Sequence, residues 1–128
     1  MAEYHGGVFT DRIGNAVIVR FAANRWYDEV TIYELRRDLL SLVETTDAKA
    51  VVLNLATVDD FGAAGIHMLI RIQQQALAKG IALRLSNLQP RLEEDIRIAQ
   101  LDRFFVIDHD EAEALAAVAR MDQQNGPA

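Results

Sequence analysis

The segment that most constrains the fold of this chain runs from residue 51 to residue 69, VVLNLATVDDFGAAGIHML. It opens with a nearly unbroken apolar run, interrupted only by Asn54, which is typical of a strand buried on both faces of a parallel sheet. Gly62 and Gly65 follow, and from Ile66 onward apolar residues recur at helical spacing. The segment therefore predicts a buried strand, an acidic loop and a helix, with free backbone N–H groups at the surface.

The rest of the chain extends this unit into an α/β fold. Strand-like runs at 8–13 and 16–21 surround Gly14-Asn15, a pair typical of a hairpin turn. Asp28 is suited to cap a helix through about Glu44. The order β-β-α-β-α-β-α-β-α predicts a mixed sheet with an N-terminal antiparallel hairpin, parallel central strands and about four helices. The later elements are predicted as a helix from Ala63 to about Lys79 ended by Gly80, a strand over 81–85, a short helix from Pro90 with Leu92, Ile96 and Ala99 on its apolar face, a strand over 104–107, and a helix from Asp110 to about Met121.

Composition limits the classes of function. The 128 residues suit one domain, which we place at 1–121, followed by a flexible tail at 122–128. A formal net charge of −6 disfavours nucleic acids and anionic membranes as partners. The absence of cysteine excludes disulfides and thiolate sites. Because no secretory signal and no membrane-spanning run is visible, we expect a cytoplasmic protein without membrane insertion.

The order and spacing of these segments resemble the STAS family, the domain of bacterial anti-sigma-factor antagonists and of sulfate-transporter tails. Leu53-Asn54-Leu55 matches the strand end of the family pattern, Val58 and Phe61 match its apolar loop positions, and Gly65 matches the motif glycine. The resemblance covers about the whole domain and implies the STAS fold. Its downstream part includes the next strand at 83–87, the LDRFF segment at 101–105 and the final helix at 110–115.

The chain departs from the family at the functional motif. Where the family has Asp-Ser-Ser or Asp-Ser-Thr, with the second hydroxyl phosphorylated by the partner kinase, this chain has Gly62-Ala63-Ala64. Ala64 therefore occupies a degenerate phosphoacceptor position, because a methyl group cannot form a phosphate ester. A shift of register does not restore the acceptor, since residues 59–68 contain no Ser, Thr or Tyr. Whether Thr57 or Ser86 substitutes as a phosphosite stays open.

The resemblance implies a protein-binding regulatory module of a partner-switching pathway, without catalytic residues. The implied partner is an anti-sigma factor or a serine kinase of the histidine-kinase-like ATPase type. Without an acceptor, we expect a constitutive binder or a scaffold. The predicted contact surface combines the loop, the polar face of the following helix and the end of the neighbouring parallel strand. Its residues are Asp59, Asp60, Gly62, Ala63, Ala64, Gly65, His67, Arg71, Ser86 and Asn87.

Other interpretations of the same residues are weaker or stay open. Adjacent carboxylates such as Asp59 and Asp60 usually point apart, so solvated loop acids are favoured over a catalytic pair, with fixed negative charge as a third interpretation. Trp26 and Tyr27 either cover the edge of the core or anchor an interface. The loop lacks the lysine and spacing of a phosphate-binding P-loop. We expect neither a cofactor nor a metal, because His5, His67 and His109 lack metal-ligand spacing.

Two alternative functions remain. Some small STAS proteins are unphosphorylated subunits of lipid-transport ATPase complexes, and the resemblance allows that function here. A small-molecule sensor or enzyme using the cleft at the sheet edge is the other, although no nucleophile–base pair supports it. The identity of the partner, nucleotide binding and the oligomeric state, a homodimer included, are not determined by the sequence.

Overall fold

The computed structural model describes the backbone of residues 3–5 and 7–124, and the side chains of residues 7–121. The chain alternates strands and helices after an initial run of three strands. The elements are β1 (Glu3–His5), β2 (Val8–Ile13), β3 (Ala16–Phe21), α1 (Glu29–Thr45), β4 (Ala50–Asn54), α2 (Gly62–Lys79), β5 (Ala82–Ser86), α3 (Pro90–Ile98), β6 (Val106–Asp108) and α4 (Glu111–Gln124).

The strands form one mixed sheet in the order β1-β2-β3-β4-β5-β6. The pairs β1–β2 and β2–β3 are antiparallel, and the pairs β3–β4, β4–β5 and β5–β6 are parallel. This confirms the predicted element order from β2 onward, including the hairpin around Gly14. The structure adds β1, which the sequence analysis did not predict. A segment of three residues carries too little alternation to identify a strand, and β1 is defined by its pairing with β2.

The sheet separates two apolar layers. Alternate residues of the central strands, such as Val51 and Leu53, face a core covered by α1, α2 and α3. The intervening residues, such as Ile18 and Val52, face α4 through Ala114 and Val118. Burial on both faces explains why β4 reads as a continuous apolar run.

The helix ends follow the local signals of the sequence. The Asp28 carboxylate accepts a hydrogen bond of 2.8 Å from the Thr31 backbone N–H, as predicted for an N-cap. That hydrogen bond lowers the pKa of Asp28. Gly80 ends α2 in the left-handed conformation, with φ of 72°, which a glycine adopts without steric cost.

Three predicted boundaries need correction. The last strand begins at Val106, because its pairing with β5 starts there, and Phe104 and Phe105 lie in the preceding turn. Ala99 is an exposed C-cap and does not join the apolar face of α3. Helix α4 continues to Gln124, so the first part of the predicted tail is helical, whereas residues 125–128 lie outside the described residues.

Candidate functional site

The site predicted from the sequence lies at the carboxyl end of β4, in the loop formed by residues 55–61. The loop adjoins the segment between β3 and α1 and the beginning of α3. Its backbone is joined to the β3–α1 segment by two hydrogen bonds. Trp26 N–H donates to the Asp60 carbonyl at 3.0 Å, and Asp59 N–H donates to the Asn24 carbonyl at 2.7 Å. The two segments therefore form one connected surface at the sheet edge.

The two loop carboxylates have different hydrogen-bond partners. Asp60 accepts from the Tyr27 hydroxyl at 2.7 Å, from Arg91 at 3.1 Å and from the Gly62 backbone N–H at 3.2 Å. Asp59 accepts from the Gln89 side-chain amide at 3.0 Å. These partners belong to three different segments of the chain, so the carboxylates fasten the loop to its surroundings. Asp59 is exposed, as expected for a solvated loop acid, whereas Asp60 is half-buried.

The hydrogen bond between Tyr27 and Asp60 shifts the pKa of both side chains. Donation from Tyr27 lowers the pKa of Asp60, and the same hydrogen bond raises the pKa of Tyr27. A carboxyl group with a lowered pKa contributes stability above its unfolded pKa, and that contribution is lost as pH falls through the folded pKa. The Asp60 carboxylate therefore stabilises the loop at neutral pH, and this contribution is lost in acid.

Replacing Asp60 should lower the pKa of the Tyr27 phenol. Asp60→Asn removes the negative charge that disfavours the phenolate, so deprotonation should occur at lower pH. Nuclear magnetic resonance of ring-labelled tyrosine, with the Tyr27 signal assigned through Tyr27→Phe, measures this directly. An unchanged Tyr27 titration in Asp60→Asn would show that the hydrogen bond is not formed in solution.

Trp26 belongs to the core, which decides between the two interpretations of this residue. Its side chain is fully buried, and its ring centroid lies 4.9 Å from that of Phe21 and 5.9 Å from that of Phe61. The indole N–H donates to the Ala23 carbonyl at 3.2 Å. Tyr27, by contrast, is 56% exposed. The core interpretation is confirmed for Trp26, and Tyr27 is available at the surface.

The glycines of the motif have structural reasons to be glycine. Gly62 has a φ of 50°, in the left-handed region that glycine adopts without steric cost. A Cβ atom on Gly65 would lie 2.6 Å from the Phe61 Cβ and 3.4 Å from the Trp26 ring. Gly65 is thus required by the close approach of α2 to its own N-cap residue. Neither requirement involves a phosphate ligand.

Ala64 is exposed on the first turn of α2, and its neighbour Ala63 is exposed as well. Ala64 lies in what we call the α1–α2 groove, formed by two adjoining depressions of about 460 and 280 Å³. His67 and Arg71, both predicted as contact residues, line the second depression and are exposed. The residues lining the two depressions are Tyr27, Glu29, Val30, Ile32, Tyr33, Arg36, Ala64, His67, Met68 and Arg71.

The end of the neighbouring strand contributes less than the sequence predicted. Ser86 is fully buried, and its hydroxyl donates to the Leu53 carbonyl at 3.4 Å. The Ser86 side chain is therefore not accessible at the surface of the folded domain, which argues against its predicted role as a contact residue. Asn87 is half-buried and adopts a φ of 60°. The accessible surface therefore lies further from β5 and closer to α1 than the sequence predicted.

Sequence reasoning missed the contribution of α1. Its outer face carries Val30 and Tyr33, which are 65% and 56% exposed. Arg36 lies one turn further, with its guanidinium 6.0 Å from the centre of the Tyr33 ring. The spacing of Val30 and Tyr33, three residues apart, contained a usable signal, because two apolar residues on the polar face of a helix form an exposed patch.

Other kinds of site find no support in the described part of the chain. Its acidic and histidine side chains nowhere form a cluster of three or more that could hold a metal ion. None of the helices, over the residues described, is long and apolar enough to cross a membrane.

Comparison with known proteins identifies the family. The sequence model of the STAS domain matches residues 9–114, so the chain belongs to the STAS family. Similar solved structures include a STAS domain protein from Planctomyces limnophilus, with 18% identity, coverage of 88% of this chain and 97% of that one, and a TM-score of 0.77. An anti-sigma factor antagonist from Mycobacterium paratuberculosis has 20% identity, 88% and 92% coverage, and a TM-score of 0.75.

A further neighbour is the Bacillus cell fate determinant SpoIIAA in its phosphorylated form. It has 13% identity to this chain, with 87% of this chain and 98% of that chain covered, and a TM-score of 0.66. At such low identity the likeness shows a shared fold. The mixed sheet and its helices are therefore those of the STAS fold, as the sequence resemblance implied.

Proposed function

We propose that this domain is a protein-binding regulatory module of the partner-switching kind, and that phosphorylation at the usual position does not control it. The observation that carries the proposal is Ala64, which is exposed on the first turn of α2 and has no hydroxyl. The surface around Ala64 is accessible to a partner, but the hydroxyl oxygen that a kinase would phosphorylate is missing.

The structural neighbours support a protein partner. Several are named as anti-sigma factor antagonists, and SpoIIAA is known in both unphosphorylated and phosphorylated forms. By analogy, the partner of this chain is an anti-sigma factor or a serine kinase of the histidine-kinase-like ATPase type. The binding is constitutive, since the charge change that would release the partner cannot occur at Ala64.

The arrangement of the loop favours binding over catalysis. Asp59 and Asp60 are hydrogen-bonded to groups of the protein itself, so their observed role is to fasten the loop. These same hydrogen bonds hold the loop and the start of α2 in place. A preorganised surface loses less conformational entropy when a partner binds.

Two hydroxyl groups near the loop differ in their suitability as substitute acceptors. Ser86 is fully buried, so a kinase could reach it only if the domain opened. Thr57 is exposed, and its hydroxyl donates to the Phe21 carbonyl at 3.0 Å. Of these two residues, Thr57 is therefore the better candidate for a substitute phosphorylation site.

A capture experiment with two readouts tests the proposal. The immobilised domain is incubated with extract of the source cell, and the bound proteins are identified by mass spectrometry. We expect an anti-sigma factor or a histidine-kinase-like ATPase. The complex is then incubated with ATP and magnesium, and phosphate on the domain is mapped; we expect an intact complex and no phosphate over residues 59–68.

Two results would contradict the proposal. A stoichiometric phosphate on Thr57 together with release of the partner would show that the switch has moved. Specific recovery of a lipid-transport ATPase subunit, and of no anti-sigma factor or kinase, would support the alternative STAS function instead. Ala64→Ser supplies the matched control, because it restores a hydroxyl at the acceptor position with little added volume.

A further inference from the structure

The α1–α2 groove combines an apolar end with a cationic middle. We propose that it binds an acidic amphipathic helix of the partner protein, with apolar side chains at the Tyr27 end and carboxylates opposite Arg36 and Arg71. This inference rests on the proposed protein-binding function and names the chemistry of the partner. It also moves part of the contact surface onto α1.

The apolar end of the groove is exposed, and one of its aromatic rings, Tyr27, is held in place by a hydrogen bond. Tyr27, Val30 and Tyr33 are each more than half exposed, and all three line the same depression beside Ala64. The Tyr27 hydroxyl is held by Asp60 at 2.7 Å. Exposed aromatic and aliphatic side chains that share one depression are typical of an interface, and a fixed ring loses little entropy on binding.

The middle of the groove carries positive charge that the protein itself does not neutralise. Arg36, His67 and Arg71 line the second depression. Within the described ranges, neither arginine has a carboxylate within ion-pair distance, whereas six of the other nine arginines do. The paired ones are Arg12 with Asp47, Arg20 with Glu111, Arg37 with Asp38, Arg84 with Asp108, Arg91 with Asp60 and Arg97 with Glu94.

The positive charge in the groove is opposite in sign to the net charge of the chain. The chain has a formal net charge of −6, yet the residues around Ala64 supply two unpaired guanidinium groups. Glu29 is the one carboxylate among the described residues that line the two depressions, and it lies at the apolar end. Charge complementarity therefore calls for carboxylates in the partner opposite the middle of the groove.

The length of the groove suits a helix. A third depression of about 580 Å³ follows along the same pair of helices, and Arg71 lines both it and the second one. Among the described residues, the one carboxylate that lines this third depression, Glu44, is paired with Lys79 at 3.5 Å. The third depression extends to Gln75, which is eleven residues beyond Ala64. At 1.5 Å per residue this spans roughly 16 Å, or about three helical turns. Helices that dock in grooves use apolar anchors at intervals of three or four residues over such lengths.

Fluorescently labelled synthetic peptides test this chemistry without the cognate partner. The first is a four-turn amphipathic helix with Leu and Phe on one face and Glu on the flanks. The second carries Lys in place of Glu, and the third carries Ser in place of Leu and Phe. By fluorescence anisotropy we expect the acidic peptide to bind at least about tenfold more tightly than either of the others.

A double charge reversal makes the test specific to the groove. Arg36→Glu with Arg71→Glu should invert the preference, so that the Lys peptide binds better than the Glu peptide. The matched control is Arg103→Glu with Arg120→Glu, which makes the same charge change at exposed arginines outside the groove. It should keep the original preference, and thermal melts should show both variants folded.

Several outcomes would overturn the inference. These are absence of peptide binding, equal binding of the acidic and basic peptides, or loss of acidic-peptide binding in the control as well. Binding of a single-stranded oligonucleotide without binding of the acidic peptide would assign the cationic patch to nucleic acid instead.

The inference and the proposed function can fail separately. If the captured anti-sigma factor or kinase binds the groove reversal as tightly as the parent, the inference is wrong and the proposed function stands. If the peptides behave as expected but no such partner is captured, the groove chemistry stands and the proposed function is wrong.

Discussion

Trp26→Ala should lower the free energy of unfolding by about 3–5 kcal/mol, the range measured when buried large aromatic residues are truncated. Trp26 is fully buried between Phe21 and Phe61 and lies 3.4 Å from the position that a Gly65 Cβ would occupy. Removing the indole leaves a cavity beneath the point where the two loops of the site meet. The same substitution should therefore weaken partner binding as well as stability.

Urea denaturation followed by far-ultraviolet circular dichroism measures this effect. Trp26 is the only tryptophan in the sequence, so the variant lacks the usual fluorescence signal. Leu77→Ala is the control, because Leu77 is 61% exposed on α2 and its truncation should change stability by about 0.5 kcal/mol or less. A Trp26→Ala domain as stable as the parent would mean that the aromatic cluster is not packed in solution.

The elements that the sequence predicted well are those set by local chemistry. The strand β4 and helix α2 follow from an apolar run and from helical periodicity, and Gly80 ends α2 as its conformational freedom allows. Asp28 caps α1 through a contact only three residues away. Such signals act within a few positions, so they can be recognised without knowing how the chain folds.

The parts that the sequence did not predict depend on contacts between distant residues. Strand β1 is defined by its pairing with β2, and Ser86 is buried on a strand that pairs with β4 on one side and β6 on the other. The groove arises where α1 packs beside α2, so that Arg36 and Arg71 line the same depression. No local sequence pattern specifies these contacts between distant residues.

The structure also shows that the packing role of the motif is separate from its role as a phosphate acceptor. Gly65 is required because α2 approaches Phe61 and Trp26 closely, and Asp60 is held by Tyr27. These packing requirements hold whether or not the neighbouring residue carries a hydroxyl. The loop can therefore keep its shape as a binding surface while the acceptor at position 64 is alanine.

Ala64→Glu should weaken binding of the captured partner about tenfold or more, with little change in stability. A carboxylate on the first turn of α2 interacts favourably with the helix dipole, so the fold should tolerate it. In the groove, however, it adds bulk and a group that must be desolvated on binding. It also places negative charge near Arg36 and Arg71, where it competes with the carboxylates proposed for the partner.

Ala116→Glu provides the matched control, because it introduces the same side chain at an exposed alanine of α4, on the other face of the sheet. Isothermal titration calorimetry of the captured partner against the parent, Ala64→Glu and Ala116→Glu tests the central claim most directly. We expect Ala116→Glu to bind like the parent and Ala64→Glu to lose about tenfold or more in affinity. Parent-like affinity for Ala64→Glu, or loss of binding in Ala116→Glu alone, would contradict the assignment of the partner surface to the groove around Ala64.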